Sequence, residues 1–483
     1  MSKFKSIDVY LQSNDKIYQI LPLKFERLHN SVFVSNLVGE FLILSNEEFD
    51  DFVQHRVSQN SPTYNDLHSK HFLVNNPNSV TLELLALKLR TKLSRLSNFT
   101  ALHMFVVSLR CEHSCPYCQV SRQSDDKIAY DMTEEVAEKA LKLTFKSPSP
   151  SIKIEFQGGE PLLNFPMIKY IVRRATEINK TENRNLAFVI ATNLALITDE
   201  ILEFCKTNNV DLSTSLDGPR ELHNHNRPRK GNNSYELAID GIKRARNYLG
   251  VDHVSALMTT TKGSLDKVKD IIDEYIARDF NGIFLRPLSP YGFAVKTKWF
   301  TSYDMEEWLK FYFEGLDYII ELNKQGLNFQ EFYARMILTK MITPYQTGYV
   351  DMMNPAGIGI AAVVYNYNGD VFASDESRML AEMGDSKFKL GNVISNTYEE
   401  IFTNETLLEA LEQSFTSTAP MCSNCAFEQY CGADPVYHYT TQNDYVGKKW
   451  KSGFCNRNMT IFKKILEYYQ DKETRKIFEG WLQ

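Results

Sequence analysis

The stretch HMFVVSLRCEHSCPYCQ (103–119) decides the fold class of this chain. Its apolar run at 103–109 is typical of a buried strand, and Cys111, Cys115 and Cys118 follow where that strand would end. Three thiolates at this spacing can hold three corners of a [4Fe–4S] cube, which normally takes four cysteines. One iron is then left for another ligand. The alternatives are a zinc knuckle or a chance spacing, although zinc sites favour paired C-x₂₋₄-C units with a fourth ligand nearby.

Similar apolar runs recur downstream and alternate with amphipathic helical patterns. The runs occupy 152–156, 186–191, 210–216, 253–259 and 282–288, and the helical patterns occupy 133–146, 166–179, 198–207, 234–248 and 264–278. Such alternation predicts an α/β fold in which helices cover a parallel sheet. Six units fit a partial (β/α)6 TIM-like barrel, with the reactive residues in loops at the carboxyl ends of the strands.

Length and composition limit the classes of protein to which this chain can belong. A chain of 483 residues with 43% hydrophobic and 24% charged residues indicates a globular protein of two or three domains. The net charge of −6 argues against nucleic acid as a partner, and no stretch approaches a membrane span. The first 16 residues lack the apolar core of a secretory signal. Seven of the eight cysteines form two groups with metal-type spacing, which suits a reducing cytoplasm. We therefore expect a cytoplasmic protein with no membrane contact.

Changes in the sequence pattern along the chain predict three domains, at 1–98, 99–330 and 331–483. The first domain is predicted to be an α+β module. The patterns at 31–37 and 40–45 indicate a pair of strands, and a capped helix is predicted after Ser45-Asn46. A long helical pattern at 82–96 leads into the barrel. The third domain carries the second group of cysteines.

The CxxxCxxC loop, with Tyr117 just before its last cysteine, resembles the signature of radical S-adenosylmethionine (SAM) enzymes. The resemblance implies that the amine and carboxylate of SAM chelate the open iron. An electron from the cluster then splits SAM into methionine and a 5′-deoxyadenosyl radical. It also implies that Tyr117 lies near the adenine.

Gln157-Gly158-Gly159-Glu160 follows the second predicted strand. Paired glycines allow a close approach of backbone to ligand. Taken alone they indicate a simple turn, but behind the cysteine loop they resemble the family's GGE element. That resemblance implies that Gly158, Gly159 and Glu160 bind the methionine ammonium of SAM.

Polar residues end the third and fourth predicted strands. Thr192 and Asn193 follow the third strand and are expected to line the same pocket. The resemblance places Ser215 on the SAM ribose and Arg227 on its carboxylate, a contact that suits a bidentate guanidinium. The alternative for 215–219 is an Asp-Gly-Pro turn followed by a solvated polar loop.

The second group of cysteines resembles the SPASM extension of peptide-modifying radical SAM enzymes, which normally binds two auxiliary clusters. Three positions where that pattern expects cysteines carry Pro355, Ser374 and Pro435 instead. All three belong to the cluster nearer the active site. We therefore expect a C-terminal SPASM-like Fe–S domain with one auxiliary [4Fe–4S] cluster, or alternatively a structural zinc site, held by Cys422, Cys425, Cys431 and Cys455.

Asp375 directly follows Ser374, where sulfatase-maturing relatives carry an aspartate that deprotonates the substrate. A general base beside a substrate radical is chemically reasonable, because loss of a proton eases the next oxidation. The alternative is an ordinary polar loop.

Longer matches, among them KIEFQGGEPLLNFP, FLRPLSPYGFAVKT and MCSNCAFEQYCGADPVYH, resemble the His-Xaa-Ser system radical SAM maturases of type HxsB. The resemblance implies oxidative modification, such as crosslinking, of a ribosomally made precursor peptide. It also implies a second radical SAM partner protein and a reductant such as flavodoxin or ferredoxin. Residues 1–98 would recognise the peptide leader by strand addition, or else serve dimerisation or barrel closure. The rival functions are a formylglycine-forming sulfatase maturase and a non-catalytic peptide-binding partner.

Overall fold

The computed structural model describes residues 17–75 and 80–483. The chain divides into two compact units, the first formed by Met1–Arg95 with Met421–Tyr430 and the second by Leu96–Pro420 with Cys431–Gln483. The prediction about a secretory signal rests on residues 1–16, which lie outside the described residues. The three-domain division at 98 and 330 stays a prediction.

The first unit is an α+β module. Its strands are β1 (Gln19–Ile20), β2 (Leu23–Arg27), β3 (Ser31–Asn36), β4 (Phe41–Ser45) and β5 (Leu73–Val74), and its helices are α1 (Asn46–Val53), α2 (Pro62–Ser69) and α3 (Val80–Ser94). Strands β2, β3 and β4 form an antiparallel sheet in that order, and β1 pairs with β5. The predicted strand pair is confirmed as β3 and β4.

The predicted cap of α1 is a complete capping box. The Ser45 hydroxyl accepts from the Glu48 amide at 3.1 Å, and the Glu48 carboxylate accepts from the Ser45 amide at 2.8 Å. Two of the unpaired amides at the helix start are thereby satisfied. The helix packs Phe49 and Phe52 into the core of this unit.

The segment Met421–Tyr430 joins the first unit through specific contacts. The Phe427 ring stacks on Phe33 with centroids 5.1 Å apart, and the Ser35 hydroxyl donates to the Ala426 carbonyl at 2.6 Å. Lys92 Nζ donates to the Gln429 side chain at 2.7 Å. A segment more than 320 positions downstream of α3 thus completes the N-terminal core.

The second unit is the larger α/β body. Its strands are β6 (Leu102–Ser108), β7 (Ser151–Gly158), β8 (Asn185–Ala191), β9 (Val210–Ser215), β10 (Val254–Leu257), β11 (Gly282–Ile283), β12 (Gln330–Glu331), β13 (Ala362–Tyr365), β14 (Asp370–Phe372) and β15 (Lys389–Asn392). Its helices are α4 (Lys127–Tyr130), α5 (Glu134–Thr144), α6 (Phe165–Glu182), α7 (Asp199–Asn208), α8 (Arg220–Asn226), α9 (Ser234–Leu249), α10 (Val268–Ile276), α11 (Phe293–Lys296), α12 (Met305–Lys324), α13 (Phe332–Ile342), α14 (Asp375–Ala381), α15 (Tyr398–Phe402), α16 (Glu405–Gln413), α17 (Pro435–Gln442), α18 (Gly453–Gln470) and α19 (Lys472–Gly480).

Eight of these strands form one sheet in the order β10-β9-β8-β7-β6-β13-β14-β15. Strands β6 to β10 are mutually parallel, β13 continues the parallel set, and β14 and β15 are antiparallel. Every residue of β6 except Leu102 is buried, as expected of a strand covered on both faces. The predicted α/β class is confirmed.

The predicted sixth barrel strand differs from the expectation. Only Gly282–Ile283 of the run 282–288 is extended in a ladder, and it pairs with Gln330–Glu331 outside the main sheet. Pro287 and Pro290 have no amide hydrogen for a ladder. A single backbone hydrogen bond of 2.8 Å, from the Thr260 amide to the Arg286 carbonyl, ties this segment to the loop after β10.

The carboxyl ends of β6 to β10 lie at one edge of the sheet, because these strands are parallel. Gly158 and Ser215 are the last residues of β7 and β9, and the loops that follow the strands carry the cysteine triplet, Gly159 and Thr192-Asn193. No described helix is both long and apolar enough to cross a membrane.

Candidate active site

The cysteine loop begins directly after β6 and is anchored at its base by Arg110. This side chain is buried and donates from Nε and Nη2 to the two carboxylate oxygens of Asp131, both at 2.8 Å. It also donates from Nη1 to Asp125 at 2.9 Å. A bidentate guanidinium–carboxylate pair fixes direction as well as distance. The residue before Cys111 is therefore held rigidly at the end of the strand.

Cys111, Cys115 and Cys118 line one cavity of about 240 Å³. All three carry free thiols. Burial raises the pKa of the Cys115 thiol to about 12 and raises that of Cys111 further. Thiols with a raised pKa become thiolates when a metal supplies the compensating charge. Three soft sulfur ligands around one cavity fit an iron–sulfur cluster with one iron open to the cavity.

Cys111 also lies beside Glu112 and His113, and their ligand atoms fall within 4.8 Å of one another. Both neighbours already have protein partners. His113 Nε2 lies 2.7 Å from the Ser234 hydroxyl, and Asn193 Nδ2 donates to Glu112 Oε1 at 2.9 Å. These contacts orient the two side chains without a metal.

The glycine pair after β7 packs against the backbone of the cysteine loop. A Cβ on Gly158, whose φ is +147°, would lie 1.9 Å from the Ser108 carbonyl oxygen, and one on Gly159 would lie 2.3 Å from that of Arg110. The Gly159 and Glu160 amides donate to these same carbonyls at 2.9 and 2.7 Å. Glycine is therefore required here for contact between two protein loops, in addition to any contact with a ligand.

Glu160 is fully buried beneath the cavity wall and is not among the residues that line it. Its carboxylate accepts from the Thr192 hydroxyl at 2.6 Å, from the Asn193 amide at 2.9 Å and from the Leu162 amide at 3.0 Å. Burial, with the neighbouring Glu112 carboxylate, raises the pKa of Glu160 to about 8. Glu160 thus connects the loop after β7 to the loop after β8, where Thr192 and Asn193 line the cavity.

The loop after β9 supplies a buried ion pair. Asp217 is completely buried and accepts from Arg227 at 3.0 Å (Nε) and 3.2 Å (Nη2), and from the Tyr117 hydroxyl at 2.6 Å. The Arg227 guanidinium lies over the Tyr117 ring, 5.5 Å from its centroid. Ser215, Tyr117 and Arg227 all line the cavity.

A chain of polar contacts runs from the cysteine loop to this ion pair. The Ser234 hydroxyl lies 2.7 Å from His113 Nε2 and 3.2 Å from His223 Nε2. His223 Nδ1 accepts from the Asp217 amide at 3.2 Å. Burial lowers the pKa of His223 to about 3, so this ring is neutral and can accept.

Asp375 lines the same cavity, although it lies after β14 rather than after one of the strands β6 to β10. It is the first residue of α14, which Ser374 caps by accepting from the Ser377 amide. Arg378 pairs with the Asp375 carboxylate at 3.1 Å and donates to the Val120 carbonyl at 3.3 Å. The predicted site residues that line this one cavity are Cys111, Cys115, Tyr117, Cys118, Gly158, Gly159, Thr192, Asn193, Ser215, Arg227 and Asp375.

The comparison with known families agrees with this geometry. Residues 105–275 match the family model described as the Radical SAM superfamily. This part of the chain has the radical SAM fold. A [4Fe–4S] cluster and SAM, the cofactors predicted for this site, are those of the superfamily.

Curated relatives of this chain include a sulfatase-maturating enzyme and a radical SAM cyclopropyl synthase. The chain is 25% identical over 385 residues, 75% of its length and 87% of the relative's, to the serine-type anaerobic sulfatase-maturating enzyme of Bacteroides thetaiotaomicron. It is 26% identical over 260 residues to the radical SAM cyclopropyl synthase TigE of Paramaledivibacter caminithermalis. It spans about half the length of TigE.

Solved structures show that the likeness in fold extends beyond residues 105–275. Native anSMEcpe with bound AdoMet superposes with a TM-score of 0.63 at 18% identity, covering 78% of this chain and 99% of that one. Streptococcus suis SuiB bound to its precursor peptide SuiA superposes with a TM-score of 0.51 at 14% identity, covering 89% and 98%.

The second group of cysteines is divided between the two units. Cys422 and Cys425 lie in the segment of the first unit, whereas Cys431 and Cys455 lie in the second, Cys455 in the first turn of α18. Asn458 Nδ2 lies 3.5 Å from Cys431 Sγ. The four-cysteine auxiliary cluster remains a prediction from spacing.

The positions that depart from the SPASM pattern have local structural roles. Ser374 caps α14, and Pro435 is the first residue of α17, whose N-cap Asp434 accepts from the Tyr437 amide at 2.9 Å. Both residue types suit a helix start.

Sequence reasoning missed the structural importance of Asp217 and His113. Asp217 was weighed only as part of a turn, and His113 only as a residue between cysteines. The available signal was their position, because His113 and Asp217 lie in the loops that follow two of the parallel strands, β6 and β9. Their pairing with Arg227 and Ser234 joins loops far apart in sequence and could not be found from spacing.

Proposed function

We propose that this chain is a radical SAM enzyme that oxidatively modifies, by crosslinking or a related change, a ribosomally made peptide of the His-Xaa-Ser type. The observation that carries the proposal is the single cavity shared by the cysteine triplet, Ser215, Arg227 and Asp375. Cys111, Cys115 and Cys118 would hold the [4Fe–4S] cluster, which would supply the electron for SAM cleavage.

Other residues of the cavity would bind SAM and deprotonate the substrate. Arg227, held by Asp217, would bind the SAM carboxylate, and Ser215 would bind the ribose. Glu160 holds Thr192 and Asn193 on the cavity wall, where they would contact the methionine end of SAM. Arg378 holds the Asp375 carboxylate at the cavity wall, where its oxygen would take the proton from the oxidised substrate carbon.

A peptide substrate is supported by the fold shared with SuiB bound to precursor peptide SuiA. In the first unit, β2 is an edge strand of a three-stranded antiparallel sheet. Edge strands accept extended peptides by strand addition, so this unit would recognise the leader of the precursor. The second radical SAM partner and a flavodoxin or ferredoxin reductant belong to the same proposal.

The deciding experiment is anaerobic incubation of the full chain with reductant, SAM and a His-Xaa-Ser precursor, followed by tandem mass spectrometry. We expect loss of hydrogen atoms localised to the repeat. 5′-Deoxyadenosine formed with an unmodified precursor, also in the presence of the second radical SAM protein, would contradict the His-Xaa-Ser assignment.

The second candidate is a formylglycine-forming sulfatase maturase, favoured by the match to the Bacteroides thetaiotaomicron enzyme over 75% of the chain. A sulfatase-type peptide separates the two, because formylglycine carries an aldehyde that reacts with hydrazides and a crosslink does not. A non-catalytic peptide-binding role would give no SAM cleavage at all.

A further inference from the structure

Helix α3 of the first unit carries a row of exposed apolar side chains. Val80, Leu84 and Leu87 are 65%, 43% and 56% exposed, and they recur at i, i+4 and i+7 on one face of the helix. Thr91 continues this face by one turn and is also exposed. Single exposed apolar residues are normal on a protein surface, whereas a contiguous row of them indicates an interaction surface.

The opposite face of α3 is fixed to the first unit. Leu85 is buried, and Lys92, two turns further along the same face, donates to the Gln429 side chain at 2.7 Å. At the side of the helix, Lys88 pairs with Glu40 at 2.8 Å. Both of these partners belong to the first unit. A molecule that binds the exposed row therefore meets a preformed helix, which lowers the entropic cost of association.

The spacing of the exposed row is that of a coiled-coil seam. Val80, Leu84, Leu87 and Thr91 follow one another at intervals of four, three and four, as the d and a positions of a heptad do. A second copy of α3 carries the same seam, so two copies can pair about a two-fold axis. In the antiparallel arrangement, Leu84 of one copy lies against Leu87 of the other. The next layer on each side pairs Val80 with Thr91.

The charges beside the seam favour the antiparallel arrangement. Glu83 and Arg90 lie on the same side of the seam, both are exposed, and neither side chain has an ion pair within the described ranges 17–75 and 80–483. A two-fold axis across antiparallel helices brings residues of the same side together, so Glu83 of each copy meets Arg90 of the other. Parallel helices would instead bring Arg90 beside Arg95, which follows α3 directly. Charges at these flanking positions set the orientation of paired helices.

We propose that the chain forms a homodimer in which α3 pairs antiparallel with α3 of a second copy. The interface is isologous, because the same helix face contributes on both sides. A helix of 15 residues is about 22 Å long and offers only two heptads of seam. The dimer is therefore weak and depends on protein concentration. This surface is separate from the edge strand β2 proposed for the peptide leader, and the inference does not depend on SAM cleavage.

The test is sedimentation velocity of the anaerobically reconstituted full chain over a hundredfold range of concentration. Leu87→Lys places a charge in the seam twice and should raise the dimer dissociation constant tenfold or more. Because Leu87 is exposed in the monomer and lysine suits a helix about as well as leucine, the urea midpoint of dilute protein should not change. Leu408→Lys, at a leucine of α16 that is 49% exposed, is the matched control and should dimerise as wild type does. A wild-type chain that stays monomeric, or unchanged dimerisation of Leu87→Lys, would overturn the proposal.

Charge reversal tests the orientation of the two helices. Arg90→Glu sets two carboxylates against each other in the antiparallel dimer and should weaken it several-fold, and addition of Glu83→Arg should restore it. In a parallel dimer, Arg90→Glu would relieve the repulsion from Arg95 and strengthen association, which would contradict the antiparallel pairing. A monomeric wild type that binds a precursor peptide, with affinity lost in Leu87→Lys, would assign the exposed row to the peptide and overturn the homodimer.

Discussion

Tyr117 and Asp217 are joined by a hydrogen bond of 2.6 Å between the phenol hydroxyl and carboxylate Oδ2. The same carboxylate pairs with Arg227, so one buried acid couples the cysteine loop to the loop after β9. Removal of its charge leaves a buried guanidinium unpaired, which costs about 3–5 kcal/mol. We expect Asp217→Asn to lower the urea unfolding midpoint and to weaken SAM binding in equilibrium dialysis.

The control for Asp217→Asn is Tyr117→Phe, which removes one hydrogen bond and keeps the ion pair. Its expected cost is about 1 kcal/mol. If both variants lose the same stability, the ion pair is not what holds these two loops together.

The glycine pair gives a second prediction. Gly158→Ala and Gly159→Ala would drive a methyl group into the carbonyls of Ser108 and Arg110, at the base of the cysteine loop. We expect both variants to incorporate little iron at the N-terminal site, measured by iron content and visible absorbance after anaerobic reconstitution. Gly480→Ala, where no atom lies within 4 Å of the added Cβ, is the matched control and should load normally. Normal iron content in Gly158→Ala would show that the loop tolerates displacement.

The two groups of cysteines predict two clusters. The wild-type chain should bind about eight irons, and Cys115→Ala and Cys425→Ala about four each, because each cube holds four. Cys425→Ala should still cleave SAM, whereas Cys115→Ala should not. Cys205→Ala changes a buried thiol of α7 outside both groups and should keep the full complement. Zinc at the second group would contradict the auxiliary cluster.

Buried neutral histidines predict loss of stability in acid. Burial lowers the pKa of His103 and of His438 to about 4, below the usual value near 6.5. The unfolded chain therefore takes up protons first. Stability is full above about pH 6.5 and falls as the pH approaches 4, by on the order of 3 kcal/mol for His103.

His103→Phe tests this dependence. The Thr100 carbonyl that His103 contacts also accepts from the Ser147 hydroxyl at 2.7 Å, so it keeps a partner. The phenyl ring can stack on Tyr365 as the imidazole does. We expect a smaller fall in the urea midpoint between pH 6.5 and 4 than in wild type. An unchanged slope would assign the acid sensitivity to other groups.

Hydrophobic periodicity predicted the regular part of the fold, because strands buried on both faces appear in the sequence as continuous apolar runs. Strands β6 to β10 lie within about two residues of the runs that predicted them. It failed at 282–288, where the apolar pattern continues but Pro287 cannot take part in a ladder. It could not find that Met421–Tyr430 completes the first unit, because contacts such as Phe427 on Phe33 depend on the tertiary fold.

The sequence predicted which loops form the candidate site, but it did not predict which side chains pair with one another. The motifs placed eleven residues around one cavity. The direction of Glu160, whose carboxylate accepts from Thr192, Asn193 and Leu162, was not predictable from a three-residue motif. Pairings across loops, such as Asp217 with Arg227, need coordinates.

The measurement that tests the central claim most directly is the formation of 5′-deoxyadenosine from SAM by the anaerobically reconstituted, reduced chain. We predict turnover by wild type and by Cys205→Ala, and none by Cys111→Ala, Cys115→Ala or Cys118→Ala. A wild-type chain that carries zinc on the three-cysteine loop, or carries iron–sulfur clusters and leaves SAM intact, would contradict the account.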